Sequence, residues 1–244
     1  VHKEPLGHEE IEIHVKAVGQ NLHDLMVLMG QSVGSECGLE TAGIVTRAGR
    51  KAKFKVGDKV CGLHPGTLST YVRAFHNTFV KIPGDLSWTS AASIPLIFTT
   101  AYAALYDFAM IKQGEKILIH AAARDLGQAC IQLAQLAGGE IFATVESVEQ
   151  RELLTETYAI PHDHIFSSGD LTFAAGIMRM TKEQGVDVIV NSLSSAALGA
   201  TLECIAPFGR FIETGQANVY GSTQLNMEKL KENVSFRFLD ISRA

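Results

Sequence analysis

The feature that most constrains the fold is a short apolar run that leads through a tight turn into a segment with helical spacing. The apolar run covers residues 116–122, and its composition is typical of a buried parallel strand. Apolar residues with helical spacing follow the turn, at Leu126, Cys130, Ile131, Leu133 and Ala134. A strand, a sharp turn and a helix in direct succession predict one unit of an α/β fold with a parallel sheet.

This alternation of strand and helix patterns continues towards the end of the chain. Two helical segments are predicted first, at residues 89–95 and 99–106. Five strands are predicted at residues 116–122, 140–145, 164–167, 186–191 and 209–214. Four further helices are predicted near residues 126–137, 147–158, 172–183 and 195–205. The order predicts a doubly wound parallel sheet that binds ligands at the carboxyl ends of its strands.

The first ninety residues follow a different pattern. Residues 11–17 alternate between apolar and polar side chains, as a half-buried antiparallel strand does. Short segments rich in β-branched residues follow at 43–49, 56–62 and 71–74, separated by Gly, Lys and Pro turn signals. These patterns predict a compact β-rich domain in front of the α/β domain.

Composition excludes several classes of protein. The 244 residues are 46% hydrophobic and 19% charged, which is typical of a globular chain with one large or two ordinary domains. The net charge of −5 and the scattered charged residues favour no nucleic-acid partner. No apolar run reaches membrane-spanning length, and the N-terminus lacks the apolar core of a secretory signal, so we expect a cytoplasmic location and no membrane partner. Because the chain opens at Val1, we expect it to be a piece of a longer protein.

Neither the cysteines nor the histidines have the spacing of a metal site. The four cysteines lie far apart, at Cys37, Cys61, Cys130 and Cys204. We expect reduced, mostly buried thiols and no metal. His162 and His164 flank Asp163, and we interpret these three residues as a polar loop.

The turn after residue 120 is the part of the sequence that bears most directly on function. In a Rossmann-type unit, glycines at this turn let backbone N–H groups approach the diphosphate of a dinucleotide. Only Gly127 survives here, and Arg124 and Asp125 stand where small residues are expected. A carboxylate ~4 Å from a phosphate costs on the order of 4 kcal/mol at an effective dielectric of ~20. Arg124 offsets this cost only if its guanidinium reaches the phosphates, and the sequence leaves that open.

The order of the domains and several sequence runs carry a resemblance to a known family. The β-rich domain, with its Val56-Gly57-Asp58-Lys59-Val60-Cys61-Gly62 run, followed by a Rossmann domain, resembles the medium-chain dehydrogenase/reductase superfamily, whose first domain is GroES-like. Longer similar runs lie at residues 119–123, 131–135, 164–168, 185–193 and 205–213. They resemble the enoyl reductase domain of fungal highly reducing polyketide synthases, in the degenerate, inactive type seen in lovastatin nonaketide synthase-like enzymes.

The resemblance implies a domain layout. It implies a GroES-like portion at residues 1–94, a Rossmann nucleotide-binding-like domain at residues 95–218, and a truncated return to the first domain at residues 219–244. Residues 234–240 are expected to begin that return.

The resemblance also implies a chemistry and a set of partners. The family reduces α,β-unsaturated thioesters with NADPH while the substrate is held on an acyl carrier protein, and the neighbouring synthase domains are the other expected partners. Zinc is not expected, because Leu39 stands where zinc-dependent relatives have a ligand.

Three departures from the family pattern fall on functional positions. The first is the pair Arg124 and Asp125 in the cofactor turn. The second is Glu146, which would repel a 2′-phosphate but would suit the ribose hydroxyls of NAD. The third is Gln216, which stands where the family has a lysine proposed to deliver a proton. Gln31 also falls near a position where some active relatives have a tyrosine.

Two sets of candidate residues follow. The candidate cofactor-binding residues of this degenerate site are Arg124, Asp125, Gly127, Glu146, Ser147, Arg151 and Asn191. The candidate catalytic positions, both vestigial, are Gln216 and Asp240.

Three functional hypotheses remain open from the sequence. In the first, the domain binds no NADPH, has lost reduction and persists as a structural part of a polyketide synthase, with a separate enoyl reductase acting in trans. In the second, it is a working reductase with an altered nucleotide site. In the third, it is a stand-alone quinone or enone reductase of the same superfamily.

Overall fold

The computed structural model describes residues 4–30, 36–193, 195–215, 218–219, 221 and 227–241. The chain divides into two compact units, Val1–Ile97 and Phe98–Ala244. In the described ranges, no helix has both the length and the apolar character needed to cross a membrane.

The first unit is built on an antiparallel sheet of five strands. The strands are β1 (Glu10–Val18), β2 (Glu40–Ala48), β3 (Lys59–Leu63), β4 (Tyr71–Phe75) and β5 (Phe79–Lys81), in the spatial order β4-β1-β2-β3-β5. Two helices accompany them, α1 (Leu22–Leu28) and α2 (Trp88–Ala92). The predicted β-rich domain is confirmed. Helix α1 was not predicted, because its exposed leucines, Leu22, Leu25 and Leu28, hide the amphipathic pattern of a core-facing helix.

Alternation along β1 builds the core of this sheet. Ile11 and Ile13 are fully buried against Val45, Val60 and Phe79. Their backbone positions are fixed by pairing with both neighbouring strands, β2 and β4. The period-2 pattern read from the sequence therefore identifies the core residues of β1 correctly. It does not predict that Glu12 is also buried, where Arg47 and Arg73 pair with its carboxylate at 3.2 Å.

The second unit is built on a six-stranded parallel sheet. Its strands are β6 (Lys116–Ile119), β7 (Glu140–Val145), β8 (Ile165–Ser167), β9 (Val186–Asn191), β10 (Ile205–Glu213) and β11 (Ser235–Phe238), in the spatial order β11-β10-β9-β6-β7-β8. Every pairing is parallel. The predicted doubly wound sheet is confirmed, and the chain order reverses between β6 and β9.

Helices connect the strands of this sheet. They are α3 (Pro95–Tyr102), which continues into a π-helical turn (Ala103–Phe108), α4 (Asp125–Leu136), α5 (Val148–Tyr158), α6 (Thr172–Met180) and α7 (Ser195–Glu203). The apolar core of the unit includes Leu118, Phe142, Phe173, Ile189 and Phe211. The uninterrupted apolar strands explain why the sequence located these elements to within a few residues.

Two predicted strand limits are wrong for identifiable reasons. The strand predicted at 116–122 ends at Ile119, because Ala121 adopts a left-handed conformation with φ 48°. The strand predicted at 209–214 begins earlier, at Ile205, and runs through an irregular region where Phe208 has φ 61°. Local backbone geometry of this kind leaves no signal in an apolar run.

Residues 234–240 were expected to begin a return to the first domain, but the strand that they contain belongs to the sheet of the second unit. Ser235–Phe238 pair in parallel with β10 and form the sixth strand of the second unit's sheet. The ring of Phe236 stacks on Phe211 with 4.9 Å between centroids, which fixes this edge strand on the sheet core.

The predicted polar loop around Asp163 is a short 3-10 turn, His162–His164. The ring of His164 stacks on Phe142 at 4.5 Å, so this histidine packs on the sheet and does not face a site.

Three of the cysteines are buried, Cys37 is half-buried, and all four are free thiols, as expected. Burial raises the pKa of Cys130 to about 12, which keeps that thiol protonated and unreactive.

Candidate functional site

The candidate site lies at the carboxyl edge of the parallel sheet. The turn between β6 and α4 and the segments that follow β7, β9 and β10 all leave the sheet at this edge. Ligands of open α/β sheets bind outside this edge, next to the point where the chain order reverses. The predicted cofactor-binding residues Asp125, Glu146 and Asn191 therefore lie on the expected side of the second unit.

Gly127 is explained by packing within the protein. A Cβ atom at this position would lie 2.6 Å from the carbonyl oxygen of Ala121 and 2.6 Å from the Cα of Ala122. Only glycine lets α4 approach the turn so closely. This is the helix-packing function of the last glycine in a dinucleotide fingerprint, and it needs no ligand.

Asp125 places a negative charge on the start of α4. It is the first residue of the helix, and its exposed carboxylate accepts a hydrogen bond from the backbone N–H of Leu126 at 2.9 Å. The free N–H groups of a helix N-terminus are the groups that would bind a phosphate. One of them already has an anionic partner from the chain itself.

Arg124 turns towards the neighbouring strand connection. Its Nη2 donates to both carboxylate oxygens of Glu146, at 3.1 and 3.0 Å. The side chains are 62% and 51% exposed, so the pair stabilises the fold by no more than about 1 kcal/mol. Its importance is electrostatic, because the guanidinium at the turn is already compensated by Glu146.

Glu146 is held in place by the cap of α5. The hydroxyl of Ser147 accepts from the backbone N–H of Gln150 at 3.3 Å, so Ser147 is the N-cap of this helix. The side chain of Gln150 in turn accepts from the backbone N–H of Glu146 at 2.8 Å. The acidic side chain thus starts from a fixed backbone position directly after β7.

Arg151 is committed to the protein backbone. Its Nη1 donates to the carbonyl oxygens of His162 and Ile165, at 3.2 and 2.6 Å. These contacts join α5 to the start of β8. The structure does not bring Arg151 together with Arg124 and Asp125.

Asn191 belongs to a buried polar cluster at the ends of β9 and β10. Its Nδ2 donates to Glu213 at 2.7 Å and to the carbonyl oxygen of Leu193 at 3.3 Å. Glu213 is fully buried and also accepts from the backbone N–H of Gly215 at 2.6 Å and from Asn218 at 3.1 Å. Burial raises the pKa of Glu213, while these hydrogen bonds favour its charged form.

A second buried network supports the turn itself. His120 is 2% exposed, and its two ring nitrogens contact the hydroxyls of Thr144 and Thr201 at 2.9 and 3.1 Å. Thr201 donates its own hydroxyl hydrogen to the carbonyl oxygen of Ala197, so it accepts from His120 Nε2 and leaves Nδ1 as an acceptor for Thr144. Burial lowers the pKa of His120 to about 3, which makes the ring neutral.

Sequence reasoning missed both His120 and Glu213. Each is a polar residue at the end of a predicted apolar strand, directly before a turn at the ligand-binding edge. This position is the signal that could have identified them. A titratable side chain at the end of a buried strand must have hydrogen-bond partners, so it indicates a buried polar network at that edge.

The candidate catalytic positions are described only in part. Asp240 lies two residues beyond β11 and is half-buried. Gln216 and Gln31 lie outside the described residues. No group of three or more His, Cys, Asp or Glu side chains is arranged to hold a metal ion within the ranges that the structure describes.

The arrangement is a poor fit to the diphosphate and 2′-phosphate of NADPH. Two carboxylates, Asp125 and Glu146, stand at the turns that would face these phosphates, and the nearby guanidinium of Arg124 is already paired. Anions bind well where N–H groups and positive charge converge. Here Asp125 already accepts from one N–H of the helix start, and Glu146 compensates the guanidinium of Arg124.

Comparison with known families gives the class of the chain. The family described as "Alcohol dehydrogenase GroES-like domain" matches residues 7–84, and the family described as "Zinc-binding dehydrogenase" matches residues 126–239. A GroES-like antiparallel sheet followed by a parallel Rossmann-type sheet is the architecture of medium-chain dehydrogenases/reductases.

Individual relatives narrow the assignment. A reducing polyketide synthase of Gibberella fujikuroi, FUB1, is 47% identical over 239 residues, which cover 98% of this chain and 10% of that protein. The crystal structure of CurK enoyl reductase has a TM-score of 0.88 to this chain at 34% sequence identity. The match covers 100% of this chain and 76% of the CurK chain. The chain therefore belongs to the enoyl reductase domains of the medium-chain dehydrogenase/reductase superfamily, in the branch found in fungal highly reducing polyketide synthases. It spans about a tenth of the length of the curated relatives it matches.

A further solved relative shows that this fold does not fix one reaction. The CurF ER cyclopropanase has a TM-score of 0.84 to this chain at 31% sequence identity, and the match covers 100% of this chain and 76% of the CurF chain. That relative is named for a cyclopropanase reaction. The reaction of this chain must therefore be argued from its own residues.

Proposed function

We propose that this chain is an enoyl reductase-type domain that does not bind NADPH productively, does not reduce enoyl thioesters itself and is retained for its structure. The observation that carries the proposal is the Asp125 carboxylate on the N-terminus of α4. Helix N-termini bind phosphates because their N–H groups and dipole are positive, and a carboxylate at the first helical position opposes both.

The size of the electrostatic effect supports this interpretation. A phosphate charge about 4 Å from a carboxylate costs about 1 kcal/mol in water and about 4 kcal/mol at an effective dielectric of 20. These costs weaken binding by roughly fivefold to a thousandfold. Glu146 stands where a 2′-phosphate would lie, and its pairing with Arg124 occupies the guanidinium that would otherwise attract a phosphate.

The intact core supports retention of the fold. Buried apolar residues line the sheet, among them Leu118 and Phe142, and neither His120 nor Glu213 lacks hydrogen-bond partners. A domain that keeps its packing but crowds its cofactor turn serves folding and contacts with neighbouring synthase domains. In this proposal a separate enoyl reductase acts in trans on the thioester held by the acyl carrier protein, in the cytoplasm.

An activity measurement tests the proposal directly. The chain is mixed with NADPH and a crotonyl-pantetheine thioester, and NADPH absorbance is followed. We expect no consumption above the rate without protein, because the carboxylate of Asp125 repels the diphosphate. An active enoyl reductase domain of the same family serves as the positive control. Sustained thioester-dependent consumption by this chain would contradict the proposal.

A second candidate function is favoured by the position of Glu146. It follows β7 directly, where an acidic side chain binds the ribose hydroxyls of NAD in Rossmann domains. If Arg124 released this carboxylate to a ribose, the domain would be a reductase that uses NADH instead of NADPH. This alternative predicts saturable binding of NADH with NADPH at least about tenfold weaker.

A further inference from the structure

Positive charge is concentrated in the connection between β2 and β3 and in the strand residues that flank it. Residues 47–59 contain six of the chain's 21 basic residues and one of its 26 acidic residues, which leaves 15 basic and 25 acidic residues elsewhere. The basic residues are Arg47, Arg50, Lys51, Lys53, Lys55 and Lys59. The interpretation of charged residues as scattered is therefore wrong for this segment, in a chain whose net charge is −5.

The backbone of this connection is well anchored. The ring of Phe54 is buried in the core of the first unit. The backbone N–H of Gly57 donates to Val45 at 2.8 Å, and the carboxylate of Asp58 accepts from the N–H of Lys55 at 2.8 Å. Gly57 has φ 93°, a conformation that favours glycine. The basic side chains are thus presented from a fixed frame, which lowers the ordering cost of binding.

The cations on this frame are exposed. No ion pair joins Arg50, Lys51, Lys53, Lys55 or Lys59 to a residue in the described part of the chain. Lys53 and Lys59 lie over the rings of Phe54 and Trp88, at 5.2 and 5.4 Å from the ring centroids, and Arg50 contacts His8 at 3.2 Å. The side chains remain exposed in these contacts. By contrast, Arg47 is engaged by the buried Glu12. We call these five exposed cations the basic loop.

The surroundings of the basic loop point to a protein partner. Val56 within the loop is 67% exposed, and Val80, next to the paired Lys81 of β5, is 59% exposed. Exposed apolar side chains among charges are typical of protein interfaces. A long polyanion such as nucleic acid would extend beyond the loop onto a surface that is acidic overall, where it would be repelled.

We propose that the basic loop docks an acidic face of another domain of the same synthase chain. The complementary charges steer the two surfaces together and set their register, and the valines contribute apolar contact. Each exposed charge pair is weak, so the contact depends on several pairs at once and is sensitive to salt. The proposal rests on membership of a multidomain synthase and not on the loss of reduction.

Zero-length cross-linking of the intact synthase tests this proposal. A carbodiimide joins lysine amines to carboxylates that they contact, and mass spectrometry identifies both residues. We expect Lys51, Lys53 and Lys55 to be joined to Asp or Glu of another domain at least about fivefold more often than Lys16 and Lys112. Lys16 and Lys112 are exposed lysines outside the loop. Raising NaCl to about 1 M shortens the screening length from about 10 to about 3 Å and should remove the difference.

A pair of charge-reversed variants completes the test. The variant K51E/K55E should lower interdomain cross-links at the remaining Lys53 and Lys59 by about fivefold, whereas K16E/K112E, with the same change in net charge, should not. Thermal unfolding checks that both variants fold. The proposal is overturned if loop lysines form no interdomain cross-links, if they join only carboxylates of their own domain or of a second copy, or if the loop binds duplex DNA or anionic vesicles instead. None of these outcomes depends on nucleotide binding.

Discussion

At the residue scale, the start of α4 contains one residue that packing requires and another that affects only ligand binding. Gly127 is required where it stands because a side chain would collide with the turn backbone. Asp125, two positions earlier, has no such constraint, since its exposed carboxylate only accepts from Leu126. The turn keeps the glycine needed for packing but not the glycines that would face a phosphate. Selection for folding without cofactor binding would leave this pattern.

Replacing Gly127 by alanine tests the packing argument. The new Cβ would lie 2.6 Å from backbone atoms that cannot move freely, so we expect Gly127→Ala to lower the free energy of unfolding by about 1 to 3 kcal/mol. Gly199, a helical glycine of α7 with nothing near its added Cβ, is the matched control. Gly199→Ala should be neutral or stabilising by about 0.5 to 1 kcal/mol in the same urea denaturation. Equal effects of the two changes would refute the argument.

A second prediction at this scale concerns His120 and the effect of pH on the free energy of unfolding. Its pKa is lowered from 6.5 to about 3 by burial, so the unfolded chain binds this proton more strongly than the folded one. The free energy of unfolding should therefore fall as pH drops from 6.5 towards 3, by up to about 1.4 kcal/mol per unit. Glu213, whose pKa is raised, acts in the opposite direction, since its contribution falls as pH rises above 4.5.

Urea denaturation at pH 6.5, 5.5 and 4.5 measures this dependence. His120→Asn should lose most of the slope that the unmodified chain shows. The exposed His162 supplies the control, and His162→Asn should keep the slope. An unchanged slope in His120→Asn would show that other groups govern acid sensitivity.

At the element scale, most of the fold followed from sequence patterns. The limits of β7 and β9 were predicted correctly because continuous apolar runs mark buried parallel strands. The end of β6 and the parallel pairing of β11 depend on backbone conformation and long-range contact, and a linear pattern does not record either. The same holds for the site: Arg124 and Glu146 are 22 residues apart, and they meet only because β6 and β7 are adjacent in the sheet.

Arg151 provides a prediction about how elements are joined. Its guanidinium binds two carbonyl oxygens before and within β8, so Arg151→Ala should lower the free energy of unfolding by about 2 kcal/mol. Arg179, in the last turn of α6 and exposed, is the comparison, and Arg179→Ala should cost less than about 1 kcal/mol. Chemical denaturation of both variants measures the difference. Similar values for the two would show that Arg151 does not join α5 to β8.

At the scale of the whole molecule, the sheet cores and the ligand-binding edge differ in what they retain. The sheet cores are complete in both units, from Ile11 and Phe79 in the first to Phe173 and Phe211 in the second. At the ligand-binding edge of the second unit, Asp125 accepts from the N–H of Leu126 at the start of α4, and Glu146 pairs with Arg124. Family membership accounts for the complete sheet cores. The local charges account for the proposed loss of cofactor binding.

Calorimetric titration of this chain with NADPH and NADH tests the central claim most directly. We expect no saturable heat with either nucleotide up to millimolar concentration, and partial recovery of binding, by about tenfold or more, in Arg124→Gly/Asp125→Gly. Asp163→Gly, which removes an exposed acid elsewhere in the unit, should leave the titration unchanged. Micromolar binding of either nucleotide to the unmodified chain would contradict the account.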